Sequence, residues 1–127
     1  MKILLIEPNK LLADTYLQAL TESNHDVMWH PGAQNAIYAI DQDCPDVIVL
    51  EPQLVSHSGI EFLYELRSYS DLQDIPVVVH SFVPSESFSS QANMLERLGV
   101  ALYLYKPQTS LRQLVSGVTN VLKSAMV

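Results

Sequence analysis

Apolar residues gather in five short runs: Ile3–Ile6, Val27–Trp29, Val47–Leu50, Val77–Val79 and Val100–Tyr105. Three of these are continuous and built mostly of β-branched residues or Leu, the pattern of strands covered on both faces. The segments between them carry apolar residues at helical spacing. Leu11, Leu12, Tyr16 and Leu20 mark the first, and Ala33, Ile37 and Ile40 the second. Phe62, Leu63 and Leu66 mark the third, and Phe88, Met94, Leu95 and Leu98 the fourth. Leu111, Leu114, Val115, Val118 and Leu122 mark the last. Strand and helix patterns therefore alternate five times.

Proline placement supports the same division. Pro8, Pro31, Pro52, Pro84 and Pro107 follow the apolar runs, whereas Pro45 and Pro76 precede two of them. Proline removes a backbone donor and is poorly tolerated inside central strands and helices. Gly59 and Gly99 mark a helix start and a helix end. Residues 85–90 are rich in Ser and read as a loosely formed start of the fourth helix. Strict alternation predicts a parallel sheet with helices on both faces, because right-handed crossovers place them there. The expected fold is a single α/β domain over residues 1–127, a (βα)5 doubly wound sheet of flavodoxin-like order 2-1-3-4-5. Functional groups then belong beyond the carboxyl ends of the strands.

Composition narrows the function classes. At 127 residues, 48% hydrophobic and 17% charged, the chain can bury a substantial core and is no disordered tail. A net charge of −7 argues against nucleic-acid binding and against adhesion to anionic membranes. No apolar run approaches the ~20 residues of a membrane span. The opening segment MKILLIEP lacks the long apolar stretch and cleavage site of a signal peptide. Cys44 is the single cysteine, which excludes an intrachain disulfide and a Cys-rich zinc site. A cytoplasmic location is expected.

Four polar residues end the apolar runs. The first and third close alike, with Glu7 and Glu51 each followed by Pro. The fourth ends in His80 and Ser81, and the fifth in Lys106 and Pro107. In the expected topology Glu7, Glu51, Ser81 and Lys106 converge on one corner of an apolar scaffold. The histidines His25, His30, His57 and His80 match no tetrahedral zinc spacing, and His80 is expected under a helix because it alternates with Ser81. No G-x-S-x-G or G-x-G-x-x-G is present, so neither a hydrolase elbow around Ser56 or Ser81 nor a dinucleotide site is supported. Met28 and Trp29 read as core.

The stretches KILLIEPNKLLADTYLQAL, PDVIVLEPQLVSHSGIEFLYELR, IPVVVHS and ALYLYKP together resemble the receiver domains of bacterial two-component response regulators, over nearly the whole chain. That resemblance implies phosphoryl transfer from a histidine kinase to an acid ending the third strand, assisted by Mg²⁺ on an acidic pair after the first. It also implies a hydroxyl and a lysine on the phosphoryl oxygens, and an aromatic in the fifth strand that turns inward. Lys106, Pro107, Ser81 and the switch aromatic Tyr103 match these positions. Glu51 stands where the acceptor Asp belongs, Glu7 at the first metal acid, and Pro8 at the second.

These departures have physical consequences. Proline supplies no side-chain ligand, so Mg²⁺ binding is expected to be weak or absent and no cofactor is expected. Glutamate carries its carboxylate about 1.5 Å further out than Asp, and acceptor geometry tolerates little misplacement. Glu51 either mimics a phosphoryl group in part, met by Lys106 and Ser81, or forms a structural ion pair with Lys106. The expected function is two-component signalling through protein contacts, independent of aspartyl phosphorylation, by a pseudo-receiver rather than an enzyme. Its expected partners are a histidine kinase-like or output protein, with a homodimer through the fourth helix, fifth strand and fifth helix as a further possibility. The competing class is a small flavodoxin-like ligand-binding module or enzyme with its site at the same strand edge.

Overall fold

The computed structural model describes residues 1–54, 58–87 and 92–125. Five strands, β1 (Lys2–Ile6), β2 (Asp26–His30), β3 (Val47–Leu50), β4 (Val77–Ser81) and β5 (Val100–Tyr105), form one parallel sheet of order β2-β1-β3-β4-β5. Five helices alternate with them: α1 (Lys10–Glu22), α2 (Ala36–Gln42), α3 (Gly59–Ser68), α4 (Ala92–Arg97) and α5 (Leu111–Ala125). This is the α/β order that the alternating pattern predicts.

The two faces of the sheet make two cores. Ile3, Leu5, Val47, Val49 and Val78 pack beneath α1 and α5, on Ala13, Tyr16, Leu20, Leu114, Val118 and Leu122. Leu4, Ile6, Ile48, Leu50, Val77 and Val79 pack on the other side against Ala36, Ile40, Phe62, Leu63 and Leu66. β1, β3 and β4 are buried on both faces, which explains their unbroken apolar runs. β2 and β5 are the edges and are only partly buried.

Two predicted core positions fall outside. Leu11 is 80% exposed, because it lies about 200° around the helix from Ala13, which takes the buried face. Leu111, at the first turn of α5 beside the sheet's edge, is also exposed. Of the Ser-rich segment, Ser85–Ser87 form a 3₁₀ turn. Phe88 and the rest of that segment, like Ser56 and His57, lie outside the described residues.

Local capping sets several boundaries. Asn9 caps α1 by accepting from the Leu12 N–H at 3.1 Å, and Ser58 caps α3 through the Ile60 N–H at 3.1 Å. Gly99 closes α4 at φ 80°, a conformation that favours glycine. The Arg67 guanidinium locks the opposite end of the sheet. It donates to the carbonyls of Leu98, Leu72, Gln73 and Ile75, at 2.6 to 3.1 Å. Among the described residues no helix is long and apolar enough to cross a membrane.

Candidate functional site

Parallel register puts the ends of β1 and β3 side by side. Ile6 faces Leu50 across the pair, and the Glu51 N–H donates to the Ile6 carbonyl at 3.0 Å. Glu7 and Glu51, each one residue beyond its strand, are thus neighbours. Lys106 follows β5, at the far edge, and its long side chain reaches back over the sheet's end. Its Nζ donates to Glu7 Oε1 at 2.6 Å and to Glu51 Oε1 at 2.9 Å. All three residues are buried, at 2%, 4% and 8% exposure. The structure therefore holds two carboxylates and one ammonium away from water, with a net charge of −1.

Backbone amides complete the carboxylates' hydrogen bonding. Glu7 Oε2 accepts from the Asn9 N–H at 3.1 Å. Glu51 Oε2 accepts from the Gln53 N–H at 3.2 Å, and its Oε1 from the Phe82 N–H at 3.3 Å. Three donors from three separate segments thus converge on Glu51: an ammonium and two peptide N–H groups. Buried charge is tolerated only when it is paired and hydrogen-bonded in this way.

Ser81 is fully buried at the end of β4. Its hydroxyl accepts from the Val83 N–H at 3.0 Å and hydrogen-bonds the Tyr103 side chain. The Tyr103 hydroxyl in turn donates to the Val83 carbonyl at 2.6 Å. Burial raises the Tyr103 phenol above its ordinary range. Ser81 and Tyr103 therefore grip the chain after β4, and the Phe82 N–H joins that segment to Glu51.

Aromatic groups wall the ammonium. The Phe82 ring lies over Lys106 Nζ with its centroid 4.7 Å away, and Tyr16 stands at 5.9 Å. His80 meets Tyr16 edge-on, centroids 4.7 Å apart at 70°. His80 is buried beneath α1, opposite Ser81, as strand alternation requires. Burial, reinforced by the Lys106 charge and partly offset by Glu51, lowers its imidazole to about 4. Burial first, then the charges of Glu7 and Glu51, push the Tyr16 phenol up to about 12. Sequence reasoning did not place Tyr16 and Phe82 at the site. Tyr16 had a signal in its inward helical position, whereas nothing in the chain signals where the Phe82 ring lies.

Few oxygen donors are left for a cation at this corner. Both carboxylates are committed to Lys106 and to backbone N–H groups, Pro8 offers no side-chain oxygen, and the third charged group is a cation. Among the described residues no three His, Cys, Asp or Glu side chains are grouped to hold a metal. A groove of 1180 Å³ lies elsewhere, along the edge strand β5 and α5, lined in part by Tyr103, Tyr105, Arg112, Ser116 and Asn120.

Comparison with known proteins agrees with this architecture. The response regulator receiver domain family model matches residues 3–119. Over 75 residues the chain is 36% identical to a protein-glutamate methylesterase/protein-glutamine glutaminase of Treponema denticola. That match covers 59% of the chain but only 19% of the relative, so the chain spans a small part of that protein's length. The signal receiver domain of a putative Luxo repressor protein from Vibrio parahaemolyticus is 25% identical, with a TM-score of 0.84 over 98% of this chain and 92% of that one. A CheY-like receiver domain protein from Methanospirillum hungatei JF-1 superposes with a TM-score of 0.85 at 17% identity, over 98% and 95% of the two chains. A sensor protein from Polaromonas sp. JS666 gives 0.86 at 19% identity, over 98% and 97%. With its strand order, its polar corner and a family match running through nearly all of its length, the chain belongs to the response regulator receiver domain family of two-component signalling.

Proposed function

We propose that this receiver domain signals through protein contacts without being phosphorylated, as a pseudo-receiver whose acceptor position is filled by its own carboxylate. One observation carries the reading. Glu51 occupies a cradle of three donors, Lys106 Nζ and the N–H groups of Gln53 and Phe82, all of which suit an anion. A carboxylate already held in that cradle is stabilised as an anion and is a poor nucleophile towards an incoming phosphoryl group. The cradle also ties Glu51 to the segment gripped by Ser81 and Tyr103, so the carboxylate's place and the surface beside Tyr103 are set together. In this reading Glu7 serves as counter-charge to Lys106 rather than as a metal ligand, and the domain works without Mg²⁺.

The partner is a histidine kinase-like or output protein, engaged along the groove between β5 and α5, where a second copy is the other candidate occupant. The filled corner also favours this reading over a ligand-binding module or enzyme, because the chain's own side chains occupy the strand-end position. The test is incubation with acetyl phosphate and Mg²⁺ followed by intact mass spectrometry. The native chain is expected to gain no phosphoryl group, whereas Pro8→Asp combined with Glu51→Asp is expected to gain one. A hydroxylamine-labile phosphoryl group on Glu51 of the native chain overturns the proposal.

A further inference from the structure

Phe82 stands apart from the other groups at the corner because it touches the buried charges and the solvent at once. Its side chain is 51% exposed, yet its ring lies 4.7 Å from the ammonium of Lys106, itself only 8% exposed. The ammonium gives hydrogen bonds to Glu7 and Glu51, and the ring's electron-rich face takes the remaining side. Phe82 is also held by its backbone, since its N–H donates to the same Glu51 oxygen that Lys106 binds. Main chain and ring thus close over one ion pair from above, while Tyr16 and the sheet close it from below.

We propose that the Phe82 ring is a gate over Lys106, and that its rotation, rather than any movement of the carboxylates, admits water or a small solute to the buried trio. The proposal rests on the reading of that trio as a self-contained site and names what controls access to it. Opening needs only side-chain rotation at a half-exposed position, which costs far less than separating buried, hydrogen-bonded charges. A partner that gripped the ring's exposed half would hold the gate in one position.

Four lysines allow an internally controlled test: Lys2, Lys10, Lys106 and Lys123. The native protein is treated with limiting acetic anhydride, and each site's acetylation rate is read by peptide mass spectrometry. Lys106 is expected to react at least about tenfold more slowly than Lys10, as a closed site open only by fluctuation does. Phe82→Ala is expected to raise the Lys106 rate about tenfold, and Phe82→Leu, which covers the ammonium without a π face, by about threefold. Because Lys10 and Lys123 are exposed in the fold, they calibrate the reagent only. Near-UV circular dichroism and a cooperative urea transition matching native show that each variant is folded, and if Phe82→Ala unfolds, Phe82→Leu carries the test.

Native Lys106 reacting as fast as Lys10 overturns the gate, as does protection unchanged in the folded variants, which would assign it to the ion pairs alone. Either failure leaves phosphorylation-independence standing. A phosphoryl group on Glu51 overturns that reading whatever Lys106 does.

Discussion

Replacing Lys106 by Met is the sharpest probe of the buried trio, because Met keeps the length and the apolar stem and removes only the ammonium. In the native chain two carboxylates and one ammonium leave a net charge of −1 in a site at most 8% exposed. Lys106→Met leaves −2, with the Glu7 and Glu51 carboxylates side by side and unpaired. Removing one partner of a buried ion pair costs about 3–5 kcal/mol. For a domain of this size that lowers Tm by about 10–20 °C. Glu51→Gln changes the count the other way: it leaves Glu7 paired with Lys106 at zero net charge and keeps an oxygen for the Gln53 or Phe82 N–H. Its cost is the loss of charge-assisted hydrogen bonds, about 1–2 kcal/mol. Adding Glu51→Gln to Lys106→Met removes one of the stranded carboxylates, so the double variant is expected to be more stable than Lys106→Met alone. Urea denaturation of native, single and double variants at pH 7 measures all of these. The electrostatic account fails if Lys106→Met lies within about 1 kcal/mol of native, or if Glu51→Gln costs more than Lys106→Met.

Three further outcomes follow from the same geometry. His80 titrates near 6.5 when unfolded and near 4 when folded, so between those values the unfolded chain binds more protons and stability rises as pH climbs from 4 to 6.5. His80→Gln flattens that slope, and NMR of the native chain shows a neutral His80 imidazole down to pH 5; titration near 6.5 refutes the burial argument. Arg67→Lys cannot reproduce the guanidinium fork that ties four carbonyls, and costs about 2–3 kcal/mol by urea denaturation; an unchanged midpoint contradicts it. Gly59→Ala drives a methyl to 2.4 Å from the Pro52 Cα, one residue from Glu51. It is expected to cost about 1–3 kcal/mol and to shift the Glu51 and Gln53 amide resonances, and silence at both refutes the close approach.

The chain's alternation of runs and helical spacings made the (βα)5 succession readable in advance, with 2-1-3-4-5 as its simplest strand order, and its prolines placed the boundaries. Both signals are local: they depend on backbone geometry and on which faces are covered. The central strands were legible because burial on both sides leaves unbroken apolar runs, and the edge strand β2 was legible only in its apolar middle. Leu11 misled because the buried stripe of α1 runs through Ala13, Tyr16 and Leu20, and Leu11, about 200° around the helix from Ala13, falls on the opposite side. The polar strand ends were legible as a set, since the topology brings the ends of β1, β3, β4 and β5 to one edge.

What those residues do to one another was settled only by the tertiary structure. Lys106 and Glu7 are 99 residues apart in sequence, and their 2.6 Å contact depends on how far a long side chain reaches across intervening strands. The hydroxyl of Ser81 is bound to Val83 and Tyr103, a choice made by rotamers and by the path of the chain after β4. The ring of Phe82 sits over an ammonium because the peptide before it is fastened to Glu51. The sequence alone determined the alternation of strands and helices and which polar residues end the strands, because periodicity and proline placement are written into successive residues, whereas the lateral order of the strands belongs to the tertiary structure. The tertiary structure decided which charges pair and which ring covers them, because those depend on ångström-scale distances between residues far apart in the chain.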